Sequence, residues 1–190
     1  MKIALIPCRE CAWTRGGRLL GRVEVSPCDE DTQTSEWLST LAPLALEAIL
    51  HSPDELATQT AARLAAELGV KTRSVDSFKE VDLGLWSGLT VNEVRSRYAT
   101  AARQLDDSPL SITPPDGERF SDALNRLSKA LRDQIARRDR PFGVVLRPMA
   151  LALAAHALTG QPPTGLLESA TEGRTPTVLE PQAEAVADPS

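Results

Sequence analysis

Three short stretches of this chain carry residue types suited to chemistry. "IALIPCRE" runs from an apolar segment into Cys8, Arg9 and Glu10, "EAILHSP" ends at His51, and "FGVVLRP" ends at Arg147. Groups at the carboxyl ends of buried strands stand where α/β proteins collect ligands. Cys8 becomes a candidate nucleophile if Arg9 and Arg147 point inward and lower its pKa. The cysteine-dependent phosphatases use a Cys-x5-Arg loop, however, and Arg15 lies one residue too far from Cys8 for that spacing. The plainer reading of Cys8 is a small thiol packed at a strand end. Cys8-Arg9-Glu10-Cys11 is also a Cys-x-x-Cys, the spacing of thiol redox proteins and zinc sites. A redox motif opens a helix, whereas Gly16 and Gly17 predict a loop here. Cys28, His51 and His156 are lone and scattered, so no zinc set is complete and no metal is expected. His51 is a rim candidate, though strand-end histidines are commonly capped surface residues. His156 lies inside the apolar "LALAAHALTG" and reads as structural.

The elements that must position these residues can be read from pattern. Apolar "IALIP", "EAILH" and "FGVVL" predict buried strands, "KTRSV" a further one, and Thr175 to Leu179 a last. Helices are predicted over Thr34 to Leu46, from Asp54 to Gly69, over Val91 to Gln104, Phe120 to Arg138 and Met149 to Leu158. In the second of these, Ser52 or Asp54 can cap the start and Gly69 the end. Strands alternating with helices predict a three-layer α/β/α sandwich with a mostly parallel sheet. Residues 1–180 are read as one domain, and 181–190 as a patternless, disordered acidic tail.

The totals exclude several classes. The chain has 190 residues, 42% of them hydrophobic, 4% aromatic and 25% charged, with a net charge of −5. Few aromatics and no basic stripe argue against nucleic acid and anionic membranes. No run is long enough for a signal peptide or a span, so a cytoplasmic location is expected, with three reduced cysteines.

In order, these segments resemble the histidine phosphatase superfamily, the phosphoglycerate-mutase-like proteins. "LIPCRECAWTRGGRLLGR" resembles the family's opening through Leu5, Ile6, Glu10, Trp13, Gly17, Arg18 and Gly21. "HSPDELATQTA", "KEVDLGLWSGLTVNEV", "PPDGERFSD" and "GVVLRPMALALAAHALTG" follow in the family's sequence of motifs. The resemblance implies a histidine nucleophile ending the first strand, two arginines and a second histidine on the phosphate, and an acidic proton donor. Laid onto this chain, the nucleophile falls on Cys8, the arginine before it on Pro7, and the second arginine on Leu56. The second histidine falls on Arg147 and the family's asparagine on Thr14. The proton donor is retained as Glu80, with Glu10 beside the first strand.

The expected function is therefore non-catalytic binding, regulation or ligand sensing by a pseudo-phosphatase, with no cofactor. The expected partner is another protein or a small anionic ligand, and a homodimer is possible. Arg9, Glu10, Thr14, His51, Glu80 and Arg147 are the ligand-binding candidates. One specific expectation is that Arg147 projects between Glu80 and Glu10 and plugs the old pocket. The alternatives are a phosphomonoester hydrolase using Cys8 and Glu80, and a redox protein using Cys8 and Cys11.

Overall fold

A computed structural model describes residues 1–29, 33–163, 165–171 and 175–181. In chain order its elements are β1 (Ile3–Pro7), α1 (Ala12–Arg15), α2 (Gln33–Leu41), β2 (Ala48–His51), α3 (Glu55–Leu68) and β3 (Lys71–Ser74). They continue with α4 (Val91–Arg97), α5 (Ala99–Asp107), α6 (Phe120–Ile135), β4 (Phe142–Leu146), α7 (Pro148–Thr159), α8 (Leu166–Ser169) and β5 (Thr177–Leu179). The sheet order is β3-β2-β4-β1-β5, parallel except for β5, which runs antiparallel along β1.

Side chains alternate across the sheet, and each face has its own helices. Ile3, Leu5, Leu50, Phe142, Val144 and Leu146 pack in one core with α6, α7 and α8. Ala4, Ile6, Ile49 and Val145 face the other way, onto Trp37 and Leu41 of α2 and Ala57, Ala61 and Leu64 of α3. The predicted three-layer α/β/α sandwich is the observed architecture.

Beyond shifts of one to three residues at other ends, three elements depart from the sequence reading. The helix predicted over Val91 to Gln104 breaks at Tyr98 (φ −126°, ψ 45°), because its ring packs against buried Trp86 with centroids 6.1 Å apart. The helix predicted to Leu46 stops at Leu41, gives a 3-10 turn over Ala42–Leu44, and ends at left-handed Ala45. Cys11 opens a helix after all: it is the N-cap of the single turn α1, and Thr14 Oγ1 accepts from its N–H at 3.0 Å. The tail expected at 181–190 lies, from 182 onward, outside the described residues.

The segment that carries Glu80 is fixed by a close backbone approach. Gly84 has φ +47°, and a Cβ there would overlap the Pro115 carbonyl oxygen, which accepts from Leu85 N–H at 3.0 Å. Only glycine meets both demands.

Candidate functional site

The parallel pairing of β1, β2 and β4 brings Cys8, His51 and Arg147 to one edge, each just at or beyond a strand's last residue. Cys8 N–H still donates to the Leu146 carbonyl at 3.1 Å, so the thiol is held at the seam between β1 and β4. Around it the chain is apolar. Leu56, fully buried, packs with Cys11 and Leu20, and Cys8, Trp13 and Val25 border the same cluster. The remaining cavity is about 40 Å³; Pro7, Cys8, Leu20, Leu56 and Pro148 line it together with the polar residues Arg9, Glu10, Thr14 and Gln33. That holds a few waters at most. Burial, followed by the negative charge of Asp54, pushes the Cys8 thiol well above its ordinary value, and Arg147 pulls it only partly back.

Arg147 does not lie between Glu80 and Glu10. Its side chain is 1% exposed, and its Nε donates to Asp54 Oδ1 at 2.9 Å. Its Nη1 donates to the carbonyls of Gly21 (2.9 Å) and Val23 (2.7 Å). Nη2 is buried without a partner. Asp54 is the N-cap of α3, accepting from Ala57 N–H at 3.0 Å and also from the Ser52 hydroxyl. Helix capping therefore holds the carboxylate that takes Arg147, and the ion pair ties β4, α3 and the loop after Gly21 together. Glu10 is elsewhere, bonded by Arg15 Nε at 2.9 Å on the surface.

Glu80 is 3% exposed. Its Oε1 accepts from Val81 and Ala150 N–H groups, both at 2.7 Å, and its Oε2 from Met149 N–H at 3.0 Å. Two of those donors are the otherwise unpaired N–H groups of the first turn of α7. Burial raises the Glu80 carboxyl to about 7 against the pull of these bonds and of Arg147. Its main-chain carbonyl is gripped by Arg22 Nε at 2.9 Å and Arg126 Nη2 at 3.1 Å. Glu118 receives both arginines, Arg126 at 2.7 Å and Arg22 at 3.0 Å. Burial would raise the Glu118 carboxyl, but those two cations hold it below its ordinary value.

The other candidates are occupied locally. Arg9 Nη2 donates to the Cys28 carbonyl at 2.8 Å, securing the loop before α2. Thr14 serves the α1 cap. His51 is buried, with Nδ1 2.7 Å from the Ser52 carbonyl. His156 lies in α7 with Nδ1 2.7 Å from the Gln161 carbonyl.

Beside Arg147 is a second, larger and open groove of about 460 Å³, lined by Arg22, Glu24, Asp54, Asp76, Glu80 and Arg147 among others. The sequence reading did not find Asp54 as Arg147's partner, nor Arg22, Arg126 and Glu118 as the clamp on Glu80. The signal for Glu118 was its place in "PPDGERFSD", and for Arg22 its position directly after Gly21. No group of three or more metal-ligating side chains is assembled among the described residues. Nor is any helix among them long and apolar enough to cross a membrane.

Comparison with known proteins agrees with this geometry. The sequence profile of the histidine phosphatase superfamily (branch 1) matches residues 10–186. The chain is 38% identical over 91 residues to the bifunctional protein Rv2228c of Mycobacterium tuberculosis, a match spanning 47% of this chain and 24% of that protein. It is 25% identical over 134 residues to phosphoserine phosphatase 1 of Hydrogenobacter thermophilus, covering 70% of this chain and 64% of the relative. The chain thus spans about a quarter of the first relative's length and just under two thirds of the second's. In fold it is similar to a mycobacterial glucosyl-3-phosphoglycerate phosphatase solved with VO3 (21% identity, TM-score 0.79, 97% of this chain and 93% of that one). It is also similar to YhfR of Bacillus stearothermophilus (22% identity, TM-score 0.77, 96% and 92%). With the profile running from Glu10 past β5 and the strand ends meeting as described, this chain belongs to the histidine phosphatase superfamily.

Proposed function

We propose that this chain is a superfamily member that binds, regulates or senses rather than transfers phosphoryl groups. The observation that carries the reading is the apolar cluster of Cys8, Leu56, Cys11 and Leu20, which leaves beside Cys8 and Leu56 a cavity of only about 40 Å³. The resemblance places a nucleophilic histidine and a phosphate-holding arginine at two of those positions. Removing one preorganised donor from such a site costs about 3–4 kcal/mol. Here the nucleophile, both arginines and the second histidine are replaced together, and such groups act as a unit. Arg147 supports the same reading, since its guanidinium is committed to Asp54 and two carbonyls. The ligand is a protein partner or a small anion.

One observation favours a second reading, a phosphomonoester hydrolase of altered activity. Glu80 titrates at about 7, as suits a general acid, and phosphoserine phosphatase 1 is among the relatives. Its weakness is Cys8, whose raised pKa leaves little thiolate to attack phosphorus. The same weakness counts against a redox role for Cys8 and Cys11. Hydrolysis of an aryl phosphate by the wild type and by Cys8→Ala, from acid to neutral pH, separates the readings. The expected result is no turnover above that of the variant. Turnover lost in the variant would overturn the non-catalytic reading.

A further inference from the structure

We propose that Cys8 and Cys11 together form a two-coordinate site for a soft monovalent cation, copper(I). Both are free thiols, and the non-catalytic reading above gives neither of them a task.

Three observations bring the two sulfurs to one place. Cys11 packs with Leu20 and Leu56, and Cys8 borders that same cluster. Cys8 and Thr14 both line the cavity of about 40 Å³. Thr14 Oγ1 in turn stands 3.7 Å from Cys11 Sγ. The thiols are thereby placed around one small void, with room for a few waters or a single ion.

The donor set decides which ion fits. Among the described residues no three His, Cys, Asp or Glu side chains gather as metal ligands. Two thiols are too few for zinc, which takes at least three protein ligands, and the wrong kind for calcium and magnesium, which take oxygens. Thiolates select soft ions, and copper(I), with its filled d shell, is satisfied by two sulfurs in line. The sequence reading expected no metal because the zinc set is incomplete; a two-coordinate ion needs no such set.

The surroundings suit such a complex. Buried Leu20 and Leu56 limit water at the sulfurs, and an apolar shell of this kind governs a metal's solvent access and potential. Thr14 Oγ1 lies 3.0 Å from the Cys11 carbonyl and 3.7 Å from Cys11 Sγ, so its proton can turn to the sulfur once that carries charge. Outer-shell hydrogen bonds of this type steady a metal ligand. Cys8 is partly exposed and Cys11 buried, so an incoming ion meets Cys8 first. On binding, two S–H bonds break, two copper–sulfur bonds form and two protons pass to solvent. Copper stays in the +1 state, and no electron moves.

The test uses the full chain, reduced and kept free of oxygen, titrated with copper(I) delivered from a chromogenic chelator. One copper per chain should be withheld from excess chelator, and X-ray absorption should show two sulfurs on the metal with no nitrogen or oxygen. Cys8→Ser and Cys11→Ser should each weaken binding at least about a hundredfold, since outer-shell changes alone cost about 10–100-fold. Cys28→Ser should bind as the wild type does, and zinc offered in place of copper should not be retained. Copper held no more tightly than by a small free thiol, half a copper per chain, a third sulfur on the metal, or zinc held as well as copper would each overturn the proposal. So would binding that survives the loss of Cys8 or Cys11, or that falls with the loss of Cys28. If the Cys8 and Cys11 variants fail to fold, the copper count and the sulfur number of the wild type and of Cys28→Ser decide. The hydrolysis assay is read separately: turnover lost in Cys8→Ala would remove the non-catalytic reading and leave this proposal to the copper count.

Discussion

Arg147 and Asp54 offer the sharpest test of how the site is held. Replacing Arg147 with Met keeps an apolar stem of similar length but strips one ion pair and the donors to two carbonyls, those of Gly21 and Val23. Removing one partner of a buried pair costs about 3–5 kcal/mol. The substitution also removes the unpartnered Nη2, which offsets part of that loss and sets the expectation near the low end, at about 3 kcal/mol. In a domain of this size each kcal/mol moves the midpoint by about 2–4 °C, so Tm should fall by roughly 6–12 °C. Asp54→Asn is the companion change. Asparagine is a good N-cap, so the bond from Ala57 N–H survives while the charge is lost. Urea unfolding of wild type, both single variants and the double variant closes the cycle, and a coupling of about 2 kcal/mol is expected. An Arg147→Met cost below about 1 kcal/mol, or strict additivity with Asp54→Asn, would refute the view that this pair fastens the strand ends.

Two further outcomes follow from the titrating groups. The folded Glu80 carboxyl lies at about 7, above its ordinary 4.5, so its contribution to stability is full below about pH 4.5 and is lost as the pH rises through about 7. The loss is about 3 kcal/mol, so Glu80→Gln should gain that much on the wild type between acidic and alkaline conditions, and parallel pH profiles in urea unfolding would contradict it. Cys8 should be alkylated by iodoacetamide at about neutral pH at least tenfold more slowly than a free cysteine, followed by peptide mass mapping, and labelling at the free rate would contradict its raised pKa.

How much of this is legible in the sequence depends on the range of the interaction. The apolar runs ending at Pro7, His51 and Leu146 placed the three strand ends, because a buried strand needs no more than its own residues to announce itself. Glycines at 84 and 88 and Trp86 marked the segment carrying Glu80. What could not be read was the choice among partners. Arg147 had several carboxylates within reach of the expected rim, and the one it takes lies 93 residues away, selected by the capping of α3. Arg9 was a ligand-binding candidate, and the carbonyl it meets, that of Cys28 in the loop before α2, could not be read from the sequence. Tyr98 interrupts a helix that its local sequence supports, and its ring packs on Trp86, a partner twelve residues away that local pattern does not name.

The strand order has a consequence for synthesis of the chain. Ile3 lies beside Phe142 in the central parallel pair, so β1 has no neighbour until about 140 residues have followed it. At translation rates of about 5–20 residues per second, that apolar strand waits on the order of 7–30 s for its partner. Its other neighbour, β5, is made later still. Over that interval β2 and β3, adjacent in sequence and parallel in space, can close on α3 by themselves. The emerging chain therefore assembles from its edge inward, and Ile3 to Pro7 is the segment most exposed to mispairing while the ribosome finishes β4.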